Sequence, residues 1–186
     1  MNRLRPMQKG LLLALLHVLL VSSLGAVLLI DRERMPRVWV KTAAYDPYLP
    51  VRGRYASLRL EVEVPRGIQL TDAERKIWEN EPAQTWRWFP TVYRSVDLKV
   101  EDGKFVGVVT PEGRHPLWIR KHADGTDQYM LAEAISYFIP EHVQDPTIRT
   151  QGEELWVEVT VPPKGLPRPI QVGVKKDGRL TPLNLR

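Results

Sequence analysis

Apolar and polar residues are separated most sharply near the N-terminus. Residues 11–30 form a run of 20 residues without a charged side chain, and ten of them are leucine. As an α-helix rising about 1.5 Å per residue, the run spans about 30 Å, the thickness of the hydrocarbon layer of a bilayer. The pattern predicts a single transmembrane helix over residues 11–30, preceded by a basic tail at residues 1–10.

A cleaved signal peptide is the alternative interpretation of this run. Residues 23–25 read Ser-Leu-Gly, which resembles a small-x-small cleavage site. The apolar run nevertheless continues to residue 30, whereas the apolar part of a signal peptide usually has about 7–15 residues. Its length therefore favours an uncleaved signal anchor.

The charges flanking the run are nearly balanced, so they do not fix its orientation. Three basic residues precede it and four follow it closely: Arg3, Arg5 and Lys9 before, and Arg32, Arg34, Arg37 and Lys41 after. Long domains cross membranes largely regardless of charge. A short tail before a long domain therefore favours a cytoplasmic N-terminus and a C-terminal domain outside the cytoplasm.

Three of the polar or small residues inside the run are candidates for contact with another helix. Ser22 and Ala26 form a small-x-x-x-small pair, and His17 is the one ionisable residue of the run. Small residues allow close approach of another helix, and an intramembrane histidine is often functional. These residues are candidates for contact with another membrane helix, although all three also occur in single helices without such a role.

The rest of the chain alternates between apolar and polar residues in the manner of β-strands. The clearest case is residues 56–64, where Ala56, Leu58 and Leu60 alternate with polar residues. Two Asp-Gly pairs, at 102–103 and 177–178, predict tight hairpins. Further strands are predicted at residues 96–100, 105–109, 117–120, 155–161 and 170–174.

Helical signals in this region are few. Thr71 and Glu74 form a capping box, which predicts a short helix over residues 72–80. Residues 128–138 are ambiguous and are interpreted as a short helix or an irregular turn before a strand. Residues 31–50 contain three prolines and are interpreted as a tether. The sequence therefore predicts a mainly β protein: a transmembrane helix, then one antiparallel β domain over residues 51–186 with one or two short helices.

Charge and composition exclude several classes of function. The net charge is +5, of which +3 belongs to residues 1–30; the remaining chain has 24 basic and 22 acidic residues. No basic stripe with interleaved aromatic residues is present, so no nucleic-acid partner is predicted. The chain has no cysteine, which excludes disulfides, thiolate nucleophiles and cysteine-ligated metals.

The motifs of common hydrolases are also absent. No His-Glu-x-x-His or Gly-x-Ser-x-Gly sequence occurs, and no serine has the Ser-x-Met-x-Pro context of signal peptidases. A zinc site remains an alternative for the outer histidines with a nearby acid: His115, His122 and His142, with Asp124 or Glu141. No catalytic residue, cofactor, metal or small-molecule ligand is predicted.

Tryptophans are the remaining conspicuous residues. Trp86 and Trp88 share one face of an extended segment. They are expected either to pack in the core beneath the helix predicted over residues 72–80, or to form an exposed apolar surface for the bilayer interface or a partner. Trp39 follows the apolar run closely among basic residues, which suits the headgroup region of a membrane.

Residues 45–60 resemble the GDYXXLXY family of membrane-anchored bacterial proteins. Gly53, Tyr55 and Leu58 match the motif, whereas Arg54 replaces its aspartate and Leu60 its final tyrosine. Residues 137–141, Tyr-Phe-Ile-Pro-Glu, resemble a second segment of that family. The resemblance implies an anchored domain outside the cytoplasm of a bacterium, often encoded beside multi-span membrane proteins, and implies no reaction.

The motif residues also have expected structural roles. Gly53 is expected at a strand entry with positive φ or a bulge. Tyr55 has the opposite parity to Leu58, so it lies on the polar face, either packed under the Thr71 helix or within a recognition surface.

Two classes of function follow from the sequence. The first is a non-enzymatic interaction or assembly module in the bacterial inner membrane, held in lipid by residues 11–30 and bound to a multi-span membrane protein. The second is a membrane-anchored hydrolase of the Ser/Lys peptidase or metal-dependent type.

Overall fold

A computed structural model describes residues 6–44, 54–66, 68–80, 92–121, 126–140, 143, 146 and 150–185. The chain divides into two compact units, Met1–Met35 and Pro36–Arg186. We call the second unit the β domain. Within the described residues the elements, in chain order, are α1 (Pro6–Arg34), β1 (Arg37–Ala44), β2 (Arg54–Leu60), β3 (Glu63–Arg66), α2 (Asp72–Asn80), β4 (Val92–Glu101), β5 (Lys104–Val109), β6 (His115–Lys121), β7 (Asp127–Leu131), β8 (Ile135–Ile139), β9 (Glu154–Thr160), β10 (Arg168–Lys176) and β11 (Arg179–Pro182).

Helix α1 contains the predicted membrane-spanning run. Its segment Met7–Val27 is long and apolar enough to cross a bilayer, and none of it is buried. The His17 ring donates a hydrogen bond from Nδ1 to the Leu13 carbonyl oxygen at 2.8 Å, so one of its two ring nitrogens is satisfied within the helix. Ser22 and Ala26 are exposed on the helix surface, which leaves them accessible to another helix.

The β domain consists of two sheets, and the predicted mainly β class is confirmed. The six-stranded sheet has the order β11-β10-β9-β1-β2-β8 and is antiparallel throughout. The five-stranded sheet has the order β3-β5-β4-β6-β7, in which only β3 and β5 pair in parallel. Buried side chains of both sheets form one cluster, for example Leu58 and Val157 from the first and Val96, Leu117 and Leu131 from the second.

The two Asp-Gly hairpins are confirmed. Asp102 and Gly103 join β4 to β5 with φ of 51° and 72°, and Asp177 and Gly178 join β10 to β11 with φ of 49° and 78°. Positive φ at both central residues is the geometry of a type I′ turn, whose twist matches that of the flanking strands.

Helix α2 is confirmed at residues 72–80, together with its capping box. The Thr71 amide donates to Glu74 Oε2 at 2.7 Å, and the Glu74 amide donates to Thr71 Oγ1 at 3.3 Å. Arg94 of β4 donates to both carboxylate oxygens of Glu74, from Nη1 at 3.0 Å and from Nη2 at 2.7 Å. These bonds satisfy the start of the helix and tie it to the five-stranded sheet.

The interpretation of residues 31–50 as a tether is wrong for the residues that the structure describes. Residues 31–34 end α1, and Arg37–Ala44 forms β1, an inner strand between β9 and β2. Val38, Val40 and Thr42 are buried in the core. The alternation of these residues outweighs the nearby prolines, because Pro36 precedes the strand and removes no hydrogen bond from its ladder.

Two other segments, residues 56–64 and 128–138, differ from their sequence interpretation. The single strand predicted at residues 56–64 is two strands, because the chain leaves the six-stranded sheet after Leu60 and enters the five-stranded sheet at Glu63. Residues 128–138 form neither a helix nor an irregular turn; they contain most of β7 and β8, one in each sheet. Leu131 and Ile135 point into the core from these strands, and this burial overrides the weak helical pattern.

Candidate binding surface

A cavity forms where β2 separates from β1. Among the residues that the structure describes, the two strands pair over residues 42–44 and 58–60. The Glu61 amide then donates to the Lys41 carbonyl oxygen at 2.9 Å, and the next amide, that of Val62, donates instead to Tyr129 of β7 at 2.8 Å. Because the chain turns towards the other sheet at this point, the first half of β1 pairs with no described strand on that side.

The space between the diverging strands is a cavity of about 170 Å³. Phe105 of β5, which is buried in the core, forms part of its lining. The remaining lining residues come from β1, β9, the segment between β2 and β3, and the start of β3: Trp39, Val40, Lys41, Glu61, Val62, Glu63 and Trp156. The cavity therefore combines aromatic, aliphatic and charged side chains.

Trp39 reaches across the six-stranded sheet because β10 carries a glycine there. Its neighbours Val38 and Val40 are buried, so strand alternation directs Trp39 to the opposite face. A Cβ atom at Gly173 would lie 3.0 Å from Trp39 Cζ3, closer than ordinary van der Waals contact, so the ring would have to move slightly. Gly173 thus allows the indole ring to lie against the backbone of β10.

Trp156 is fixed by polar contacts of its own. Its Nε1 donates to Glu154 Oε2 at 3.1 Å, and the Lys175 ammonium lies 4.5 Å from its ring centroid. Lys175 therefore makes a cation–π contact with this indole. The Trp156 ring is oriented from two sides, which is typical of a preorganised binding wall.

Most charges around the cavity are paired. Lys41 Nζ lies 2.7 Å from Glu154 Oε1, and Lys104 Nζ lies 2.6 Å from Glu63 Oε2. The hydrogen bond from Lys41 lowers the pKa of Glu154, with a further contribution from Trp156. In the part of the chain that the structure describes, Glu61 forms no ion pair, so its carboxylate is the unneutralised charge of the lining.

A second surface feature is a group of four aromatic residues and one arginine, which we call the aromatic strip: Tyr55, Arg59, Tyr93, Trp118 and Phe138. Tyr55 and Phe138 meet edge to face with centroids 5.5 Å apart. Tyr93 and Trp118 meet similarly at 6.1 Å, and the Arg59 guanidinium lies 3.8 Å above the Trp118 ring. Strand alternation places Tyr55 and Arg59 on one face of β2, so the strip continues from β8 to β4.

The aromatic strip is unusual in its exposure. Tyr55, Tyr93 and Phe138 are 54%, 59% and 55% exposed. They are the exposed large hydrophobic residues among the described residues of the β domain. Adjacent exposed aromatic side chains, accompanied by arginine, are typical of surfaces that bind other proteins.

The structure separates the residues of the sequence motif. Leu58 is fully buried in the core, and Tyr55 lies on the opposite face, as strand parity predicts. The prediction that Tyr55 packs under α2 is wrong: its ring contacts Phe138 of the neighbouring strand and is more than half exposed. Gly53, Trp86 and Trp88 lie outside the described residues.

The contacts that resemble catalytic chemistry are few. His115 is buried, with Nδ1 at 3.2 Å from Glu133 Oε2. Across the described ranges, no group of three or more histidine, cysteine, aspartate or glutamate side chains is arranged to hold a metal. The other residues of the zinc hypothesis lie outside those ranges: His122, Asp124, Glu141 and His142.

The sequence alone does not indicate that Trp39, Trp156 and Gly173 come together in the six-stranded sheet. The alternation around each tryptophan indicates which face of its strand it occupies. That β9 lies between β1 and β10 depends on pairing over more than 100 residues, for which the sequence contains no local signal.

The chain matches no family model, no curated protein and no solved structure.

Proposed function

We propose that this protein is a non-enzymatic interaction module, anchored in the bacterial inner membrane by α1, that binds a multi-span membrane protein through its β domain. The aromatic strip is the observation that carries the proposal. Among the described residues of the β domain, buried apolar side chains of both sheets form one core, whereas Tyr55, Tyr93 and Phe138 are exposed; these exposed aromatic side chains provide a surface suited to a protein partner.

The chemistry of the strip supports binding rather than catalysis. Tyrosine, tryptophan and arginine are enriched at the residues that contribute most to binding energy in protein interfaces. Tyr55 and Phe138 hold each other in place, as do Tyr93 and Trp118. Side chains that are already ordered lose less conformational entropy on binding.

The apolar helix supports the choice of a membrane protein as the partner. A helix restricted to the bilayer raises the effective concentration of the β domain towards other membrane proteins. The exposed pair Ser22 and Ala26 offers a second contact within the membrane. The placement of the β domain outside the cytoplasm rests on the short basic tail, and the bacterial origin rests on the resemblance of residues 45–60 to a known family.

Site-specific photo-crosslinking tests this proposal. A photoreactive phenylalanine analogue is introduced at Tyr55 or Phe138, and at Lys99, an exposed residue of β4, as the matched control. After illumination and extraction in gentle detergent, mass spectrometry should identify one multi-span membrane protein crosslinked from the strip and not from Lys99. No crosslinked membrane protein from either strip position would refute the proposal.

Substitution of the strip provides an independent measurement. Changing Tyr55 and Phe138 together to serine should reduce capture of the partner at least tenfold, whereas Lys99→Ser should leave capture unchanged. Both variants should retain the β-type circular dichroism spectrum of the wild type. Wild-type capture by the double variant would show that the partner binds elsewhere.

A further inference from the structure

The cavity between β1 and the β2–β3 segment is suited to a single functional group. Its volume of about 170 Å³ is below the roughly 300–1,000 Å³ of sites for whole small molecules. The aromatic strip does not include its lining residues, so the cavity is not explained by the surface described above.

The charge of the lining selects a cation. Lys41 and Lys104 are paired with Glu154 and Glu63, which leaves Glu61 without an ion pair in the described part of the chain. A carboxylate beside apolar and aromatic walls attracts a positive group more strongly than one surrounded by water. An anion at this position would have to displace one of the existing salt bridges.

The aromatic walls favour a planar cation. The tryptophan ring is the best cation–π acceptor among the side chains, and a guanidinium can stack flat against it. The same chain already has cation–π contacts with tryptophan, with Arg59 above Trp118 at 3.8 Å and Lys175 above Trp156 at 4.5 Å. A guanidinium can also donate two parallel hydrogen bonds to one carboxylate, and Glu61 is available to accept them.

We propose that this cavity binds the guanidinium of an arginine side chain presented by the protein partner, stacked against Trp39 or Trp156 and hydrogen-bonded to Glu61. The inference rests on the proposed function, since it names the partner group that the β domain recognises. It predicts an exposed arginine in the extracytoplasmic segment of that partner.

The test uses the full-length chain in a non-ionic detergent and N-acetyl-L-arginine amide as the probe. Binding is followed by NMR of the indole N–H groups, because the chain has six tryptophans and Trp39 and Trp156 should shift selectively. N-acetyl-L-citrulline amide has the same shape without the charge and should bind at least tenfold more weakly. Equal binding of the citrulline and arginine probes, or equal binding of N-acetyl-L-lysine amide, would overturn the proposal.

Two variants test whether the arginine probe binds in the cavity beside Glu61. Glu61→Gln should weaken binding of the arginine probe at least fivefold, whereas Glu112→Gln, at an exposed residue outside the cavity, should not change it. Unchanged binding by Glu61→Gln, with the wild-type circular dichroism spectrum, would refute the site. If the partner is captured but the probe does not bind, only this inference fails; if the probe binds but no partner is captured, the proposed function fails.

Discussion

The charged contact between α2 and β4 allows a quantitative prediction for Glu74. Hydrogen bonds from Arg94, and then from the Thr71 amide, lower the pKa of Glu74 from 4.5 to about 2. A difference of about 2.5 in pKa corresponds to at most about 3.4 kcal/mol of stability at neutral pH. The side chains of Arg94 and Glu74 are 23% and 24% exposed, so solvent screening reduces the expected contribution to about 1–2 kcal/mol.

Glu74→Gln isolates the charge, because glutamine retains the shape and can still accept a hydrogen bond in a capping box. Since the pKa is lowered in the folded state, the stabilisation is present above about pH 4.5 and is lost as the pH falls towards 2. We expect the variant to be about 1–2 kcal/mol less stable than the wild type at pH 7. At pH 3 the difference should be less than half that value.

Urea unfolding of Pro36–Arg186, followed by circular dichroism at pH 7 and pH 3, measures both differences. Glu63→Gln is the matched control, because its ion pair with Lys104 is more than half exposed and should contribute less than about 0.5 kcal/mol. Comparing each variant with the wild type at the same pH cancels the titration of other carboxylates. An equal effect of Glu74→Gln at both pH values would refute the electrostatic explanation.

Three further predictions concern packing and topology. Leu58→Ala should destabilise the β domain by about 2–5 kcal/mol because the side chain is fully buried. Tyr55→Ala should cost no more than about 1.5 kcal/mol, the range for loss of an aromatic pair. Equal losses of stability in urea unfolding would contradict this ranking. Gly173→Ala should cost about 1–3 kcal/mol and change the fluorescence of Trp39, because the added methyl group overlaps its ring; a wild-type stability and spectrum would disprove the close packing. Alkaline phosphatase fused to the C-terminus should be active in the membrane fraction at full length; active enzyme released as a shorter soluble protein would show that a signal peptide is cleaved.

Local signals in the sequence predicted local structure well. The Asp-Gly pairs specify two turns because their backbone geometry requires positive φ, and the capping box at Thr71 specifies the start of α2. The alternation from Ala56 onward identifies the buried face of β2. It does not reveal the change of sheet at Glu61, because both sheets share one core and the buried face stays the same through Val62.

The candidate binding surface was less predictable. Strand parity predicts that Tyr55 lies on the polar face of β2. Its partner Phe138 lies in residues 128–138, whose sequence pattern does not identify β7 and β8. The cavity depends on where β1 and β2 separate and on β9 lying beside β1. Such arrangements come from pairing between distant segments, and residues near Trp39 in the sequence contain no information about that pairing.

The position of β1 between β2 and β9 has a consequence for biogenesis. Trp39 pairs with Glu158, so one edge of the first strand has no partner until β9 has been made. At synthesis rates of about 5–20 residues per second, the wait is on the order of 6–24 s. During that time β1, the strand that follows α1 in the sequence, presents free backbone groups, which can pair with other chains. A chaperone that shields residues 37–44 in this interval would raise the yield of folded protein, and pulse-labelled chains should be most sensitive to proteolysis before β9 emerges.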